Sequence, residues 1–262
     1  MNYCLTIQYD GTEFSGWQIQ EGRRTVQGEL TRVLSLLEGV EVIVHGAGRT
    51  DAGVHAEAQV ASVRLLRGME PERLCAAVNG NVAHDLRVIE AETVPEEFHA
   101  RYSAKGKTYC YRIFNERFVS PFWTRYALQE ARALEIGAMR EAAELFVGEH
   151  DWTAFSSVQA DVKTRVRNLT ELKISERKSV RGHGRMLEIR VSAEGFLRYM
   201  VRSIAGTLLA AGRGEIDCAT IRHAIETGER PLAVVTAPAH GLTLIEVYYD
   251  KFRAEARPSG RA

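Results

Sequence analysis

Apolar residues along the chain switch between a period of two and a period near 3.6, and the switches come in the same order twice. In the first half, Tyr3–Asp10 reads as a strand and Gly11 opens a loop. Thr25 caps a helix in which Val26, Leu30, Val33, Leu34 and Leu37 share one face, and Gly39 ends it. Val40–Val44 reads as a second strand, a glycine-punctuated loop runs from Gly46 to Gly53, and Gln59–Leu65 is a third strand. Pro71 opens a short helix through Val78, and Leu86–Val94 is a fourth strand. The second half starts with a strand at Lys107–Phe114 and a helix at Ala131–Val147, stopped by Gly148. Strands Val166–Glu176 and Met186–Ala193 follow, then helices Phe196–Ala211 and Asp217–Thr227 and a last strand, Leu242–Tyr249. The order β-α-β-β-α-β, once per half, predicts an α+β protein of two ferredoxin- or RRM-like units. Their sheets are expected to join as one antiparallel sheet with a central cleft, a usual ligand location. The division falls near residue 105, giving units 1–105 and 106–252; residues 253–262, polar with Pro258 and Gly260, are expected to fray.

Charge and cysteine usage narrow the partners and the compartment. Lysine plus arginine and aspartate plus glutamate each total 34, a balance that argues mildly against a nucleic-acid binder. The signs are unevenly spread, however. Basic residues gather at Arg23-Arg24, at Arg101, Lys105 and Lys107, at Lys163, Arg165 and Arg167, and along Arg177, Lys178, Arg181 and Arg185. A neutral chain can still present a basic face. No run of about 18 apolar residues exists, so no membrane helix is expected. The first ten residues lack the basic start and apolar core of a signal peptide. Cys4, Cys75, Cys110 and Cys218 lie far apart and form no CxxC pair. Neither a zinc site nor a disulfide framework is expected, and a reducing cytoplasm is the simplest compartment.

Three places could carry chemistry. The loop Gly48-Arg49-Thr50-Asp51-Ala52-Gly53-Val54-His55 concentrates polar residues between two apolar strands and could hold a carboxylate at the bottom of a cleft. It could equally be a plain β-turn in which Asp51 bonds its own backbone and Gly53 supplies a positive φ. It is no phosphate loop, since GxxxxGK[ST] is missing; metal ligation by His45, Asp51 and His55 is a further alternative. On the segment Gly195–Gly206, Arg198 and Arg202 stand one turn apart beside a wide apolar face. Either both reach solvent, or Arg202 is partly buried and requires a carboxylate partner. Finally, strand alternation puts Tyr109 and Tyr111 on one face, with Lys105 and Lys107 at the strand's start. Such tyrosines are commonly packing residues, yet an aromatic ring beside basic residues also suits an extruded base.

An ordered series of motifs covering nearly the whole chain resembles the TruA family of tRNA pseudouridine synthases. It comprises Tyr9-Asp10-Gly11 with Gly16-Trp17-Gln18, Thr25-Val26-Gln27-Gly28-Glu29-Leu30, Gly48 to His55, Phe98-His99-Ala100-Arg101 through Tyr109, Gly195 to Gly206, and Ala237-Pro238-Ala239 with Gly241-Leu242. The resemblance implies that Asp51 is the catalytic aspartate and that Arg202 ion-pairs with it. It implies that Tyr109 stacks on the flipped uracil and assists proton removal from C5. Arg49 is implied to bind RNA backbone, and Arg198 and Lys105 are further candidate RNA contacts. The implied substrate is tRNA, at uridines 38, 39 and 40 of the anticodon stem-loop, and the implied assembly is a homodimer. The implied reaction needs neither redox change nor net hydrolysis, so no cofactor or metal is expected. Two other classes compete with this reading: a noncatalytic RNA-binding protein, and a metal-dependent hydrolase built on Asp51, His45 and His55.

Overall fold

The structure is a computed structural model that describes residues 1–158, 162–178 and 185–250. The expected tail, 253–262, lies outside the described residues, as does 179–184 of the last basic cluster, Arg177 to Arg185. In the first half, strands β1 (Asn2–Tyr9), β2 (Val44–Gly46), β3 (His55–Arg64) and β4 (Leu86–Val94) alternate with helices α1 (Val26–Glu38) and α2 (Pro71–Asn79). The second half contains β5 (Ala104–Asn115), β6 (Leu128–Gln129), α3 (Ile136–Glu144), β7 (Gly148–Asp151), β8 (Val166–Lys178), β9 (Arg185–Ala193), α4 (Met200–Gly212), α5 (Cys218–Thr227) and β10 (Leu242–Tyr249).

Among the described residues these strands form one ten-stranded sheet, in the order β4-β1-β3-β10-β5-β9-β8-β7, with β2 on β3 and β6 on β5. Both halves show the same internal order. In the first it is β4-β1-β3-β2, and in the second, leaving aside the added strands β6 and β7, β10-β5-β9-β8, each the fourth, first, third and second strand of its half. The join corrects one expectation. The sheet is mostly antiparallel, but the halves meet through a parallel pair, Thr243 with His55 and Leu244 with Ala56. The edge of β3 is shared: its far end takes β2 at Ala61–Val63, and its near end takes β10.

Helix ends follow their local chemistry. The Thr25 side chain accepts from the Gly28 N–H, and Gly39 closes α1 in the left-handed region at φ 76°. Asp217 caps α5 in the same way as Thr25, through the Thr220 N–H, and Gly228 closes it at φ 75°. A single apolar cluster runs from Leu5 and Leu34 through Tyr111 to Met200 and Leu208, so the two halves share one core.

Several element boundaries differ from the sequence reading. Val40–Ile43 is not a strand, because the Val42 N–H is drawn back to the Ser35 hydroxyl at 2.9 Å. β3 begins at His55 rather than Gln59, since this polar stretch is paired on both sides, with Tyr9 and with β10. Helix α3 lacks its expected first turn: Asn115 Nδ2 donates to the carbonyls of Glu130 and Arg132 and holds that segment extended. Helix α4 starts at Met200, four residues late, because Tyr199 adopts φ 66°.

Helix α4 is nearly all buried, and its mid-helix glycine, Gly206, is essential to that position. A Cβ built on Gly206 would lie 1.7 Å from the Val235 carbonyl oxygen. Alanine would gain about 1 kcal/mol of helix propensity over glycine. A backbone carbonyl cannot rotate aside as a side chain can, so overpacking of about 1–3 kcal/mol or more outweighs that gain. Gly206→Ala is therefore expected to lower the thermal midpoint, measured by calorimetry; an unchanged or raised midpoint would contradict the packing described.

Candidate active site

The loop between β2 and β3 is clamped from below. The Trp17 N–H donates to the Thr50 carbonyl at 3.0 Å, and the Thr50 hydroxyl meets the Tyr9 hydroxyl at 2.8 Å. Gln59 Nε2 donates to the Gly48 carbonyl at 3.1 Å, and the Val54 N–H closes the turn on the Asp51 carbonyl. Gly16, at φ 92°, approaches so closely that a Cβ there would lie 2.7 Å from the Thr50 oxygen. These contacts fix the Asp51 backbone while its side chain points away from its own turn. Asp51 Oδ2 instead accepts from Arg202 Nη1 at 3.1 Å.

Arg202 is itself held at two further points. Its Nε donates to the Ala237 carbonyl at 2.7 Å, and its guanidinium carbon lies 5.0 Å from the centre of the Tyr199 ring. Tyr199 is the one non-glycine residue with positive φ among the described residues. That conformation costs about 1–3 kcal/mol and persists where surrounding contacts overdetermine it. Here Arg198 lies 4.8 Å from the same ring, and its Nη2 donates to the Tyr199 hydroxyl at 3.0 Å. The aspartate and arginine side chains keep 23% and 16% of their exposure, so the pair is recessed but reachable from solvent.

Tyr109 projects from β5 on the same face as Lys107 and Tyr111. Its ring is buried and stands edge-on to Phe196, at 5.1 Å and 86°. Burial pushes its hydroxyl up beyond the ordinary phenol range, and the nearby Tyr9 and Asp51 add to the effect. The phenol therefore stays protonated at neutral pH. It can offer a ring and an O–H, but no standing phenolate base. Tyr9, beneath the loop, is likewise pushed up to about 12 by burial, against the opposing hydrogen bonds of Thr50 and Gln59.

The site is thus a recessed carboxylate fixed by an arginine, with a buried tyrosine close enough to feel its charge. The sequence profile of the tRNA pseudouridine synthase family matches residues 5–103 and 142–250. The chain belongs to this family. It is 41% identical over 244 residues to tRNA pseudouridine synthase A of Bacillus sp. (strain KSM-64), covering 93% of this chain and 97% of that one. It is 40% identical over 248 residues to tRNA pseudouridine synthase A of Acetivibrio thermocellus, covering 95% and 99%. With tRNA pseudouridine synthase A 2 of Clostridium perfringens it shares 39% identity over 248 residues, again covering 95% and 99%. Asp51 and Arg202 fall inside the family-matched segments, whereas Tyr109 and Lys105 fall between them.

The remaining candidates are placed unequally around Asp51 and Arg202. Arg49 is exposed beside Asp51, and no ion pair among the described residues includes it. Lys105 is not gathered into the site; it makes an exposed pair with Asp250 at 3.0 Å. Lys107, two residues on, is half-buried, and its aliphatic stem packs against Gly48, where a Cβ would lie 3.3 Å from Lys107 Cε. Burial, then Arg101, lowers its pKa. In the basic stretch before β8, Arg165 spends its donors locally, on the Ser156 hydroxyl and the carbonyls of Ser157 and Val158.

The histidines named as alternative metal ligands do not converge on Asp51. His55 Nδ1 sits between the Gly11 N–H at 3.0 Å and the Asp10 carboxylate at 3.2 Å, and Nε2 meets the His240 carbonyl. His45 lies against His99, with ring centres 4.7 Å apart. Among the described residues no three histidine, cysteine, aspartate or glutamate side chains gather as a metal-binding group. Sequence reasoning missed Tyr199, Tyr9, Phe196 and the Ala237 carbonyl. The motif pieces Tyr9-Asp10-Gly11 and Ala237-Pro238-Ala239 were visible, but nothing in them indicated contact with the Asp51 loop or Arg202.

Proposed function

We propose that this chain isomerises uridine to pseudouridine in the anticodon stem-loop of tRNA, at positions 38, 39 and 40, with Asp51 as the reacting group. The observation that carries the reading is the Asp51–Arg202 pair, 3.1 Å apart and recessed yet reachable from solvent on a clamped loop. The reaction breaks the bond from C1′ to N1, turns the base and joins C1′ to C5. N1 gains a proton and C5 loses one, so atoms balance with no external oxidant, reductant or water. A carboxylate can attack C1′, remove a C2′ proton to give a glycal, or add to C6 of the base.

The target must first leave its stack, at a cost of a few kcal/mol. Tyr109, close enough to Asp51 to feel its charge, supports this step as an aromatic wall, and the exposed Arg49 and Arg198 supply charge for the displaced backbone. The two halves of identical strand order act as units 1–105 and 106–252, with the reacting groups drawn from both. We further infer a cytoplasmic homodimer, in which one subunit docks the tRNA body while the other holds the target. Sedimentation at the mass of one chain with full activity would remove the dimer.

Transcripts of one tRNA carrying a single uridine at 38, 39 or 40 test the site assignment. Pseudouridine is expected in each, read by nucleoside mass spectrometry after digestion. Product at a uridine outside the anticodon arm, and none at these three, would overturn it.

A further inference from the structure

A row of aromatic rings leads away from the active-site loop along the surface. Tyr102, 77% exposed, stands 4.4 Å from the His99 ring at 37°, and His99 stands 4.7 Å from His45 at the same angle. His45 lies on β2, whose next residues become the Asp51 loop. The Arg101 guanidinium carbon lies 5.7 Å from the centre of the Tyr102 ring. On the other flank, Lys107 packs on Gly48 of the same loop. No ion pair among the described residues includes Arg101 or Lys107.

The row is rigid where it could have been loose. The Arg101 N–H donates to His99 Nδ1 at 3.1 Å, which sets the ring's orientation and leaves it neutral. The His99 N–H donates to the Ser103 hydroxyl, and the Ala100 N–H donates to the Ser62 hydroxyl on β3. The Tyr249 hydroxyl donates to the Ala100 carbonyl at 2.7 Å. Burial, then His45 and Arg101, also lowers the His99 pKa, consistent with a neutral ring at physiological pH. Packing of the protein explains why the turn is pinned, but not why a tyrosine face is left open at its tip, beside uncompensated cations. Proteins that hold single-stranded nucleic acid combine these two features: an aromatic face for a base and a cation for the adjoining phosphate.

We propose that Tyr102, His99 and His45 form a stacking platform for an unpaired base of the RNA substrate, next to the Asp51 loop, with Arg101 and Lys107 taking the adjoining phosphates. The proposal rests on the reading of the substrate as RNA with an unpaired loop. The base that occupies the platform is a neighbour of the target and undergoes no chemistry there. Tyr102 is a binding residue whose loss appears in affinity.

The test compares dissociation constants of the full-length protein for one tRNA transcript across a salt series. Tyr102→Ala is expected to weaken binding about tenfold at every salt concentration, with the salt slope unchanged. Tyr102→Phe keeps the ring and is expected to bind within about twofold of wild type. Arg101→Met and Lys107→Met are each expected to lower the salt slope by about one phosphate contact. Thermal midpoints are measured in parallel; at 77% exposure the Tyr102 variants are expected to fold as wild type. Wild-type affinity for Tyr102→Ala overturns the platform, as does an equal loss in Tyr102→Phe. Tritium release by the wild type from the same transcript, labelled at uridine C5, separates the two readings. Release with no effect of Tyr102→Ala sinks the platform alone. The expected affinity pattern without release sinks the isomerase and leaves the platform standing.

Discussion

Asp51→Asn is expected to lower the single-turnover rate on tRNA by at least about 10⁴-fold, the scale seen when a reacting group is removed from a catalytic unit. The substitution changes charge and nucleophilicity with almost no change of shape. The loop backbone is fixed by the Trp17 N–H, the Tyr9 hydroxyl and Gln59, none of which bonds the Asp51 carboxylate. Arg202 keeps its contacts with the Ala237 carbonyl and the Tyr199 ring. The fold should therefore survive, because the new carboxamide keeps an oxygen that can accept from Arg202 Nη1. Dissociation constants for tRNA are expected to stay within about threefold, since one recessed side chain of many contacts is altered. Rapid-quench kinetics with enzyme in excess, alongside filter binding, measures both quantities. A rate drop of only tenfold would mean that another group reacts and that Asp51 merely shapes the loop.

Arg202→Met should cost about 10²–10³-fold in the same rate, the scale for removing one preorganised charged donor. Arg202→Lys is expected to restore little of it. Arg202 donates in two directions at once, Nε to the Ala237 carbonyl and Nη1 to Asp51. A lysine ammonium is a single point on a flexible stem and cannot span both. Stability should also fall, by about 1–3 kcal/mol, because the part-buried Ala237 carbonyl loses its donor. The double variant Asp51→Asn, Arg202→Met should be no slower than Asp51→Asn alone, since the two residues act as one unit. Multiplied losses in the double variant would show that Arg202 serves the reaction independently of the aspartate.

The parts of this site that were legible in the sequence are those set by short-range chemistry. Thr25 and Gly39 announced the two ends of α1, and Leu86–Val94 and Leu242–Tyr249 read as strands. The cost of burying an unpaired guanidinium said that Arg202, if part-buried rather than reaching solvent, needs a carboxylate. It could not say which one, because 151 residues separate it from Asp51 and only the fold brings them together.

What stayed hidden was set by tertiary contact. Apolar periodicity runs unbroken through Phe196–Met200, yet Tyr199 turns left-handed between two arginines and delays the helix. Lys105 and Lys107 share a face by simple alternation, but the ladder between β10 and β5 shifts register between Tyr248 and Tyr249. One lysine then pairs with Asp250 while the other packs under the Asp51 loop. The short strand Gly148–Asp151 carries no apolar pattern and exists only because β8 offers it an edge.

The central claim is that this chain isomerises tRNA uridine through Asp51, and one experiment addresses it most directly. A tRNA transcript labelled with tritium at uridine C5 is incubated with wild-type protein and with Asp51→Ala, and released tritium is counted after charcoal adsorption. The account predicts release by the wild type, in proportion to pseudouridine formed, and none by the variant although it binds the transcript. Release by Asp51→Ala at a comparable rate, or no release by a folded wild type that binds tRNA tightly, would contradict it.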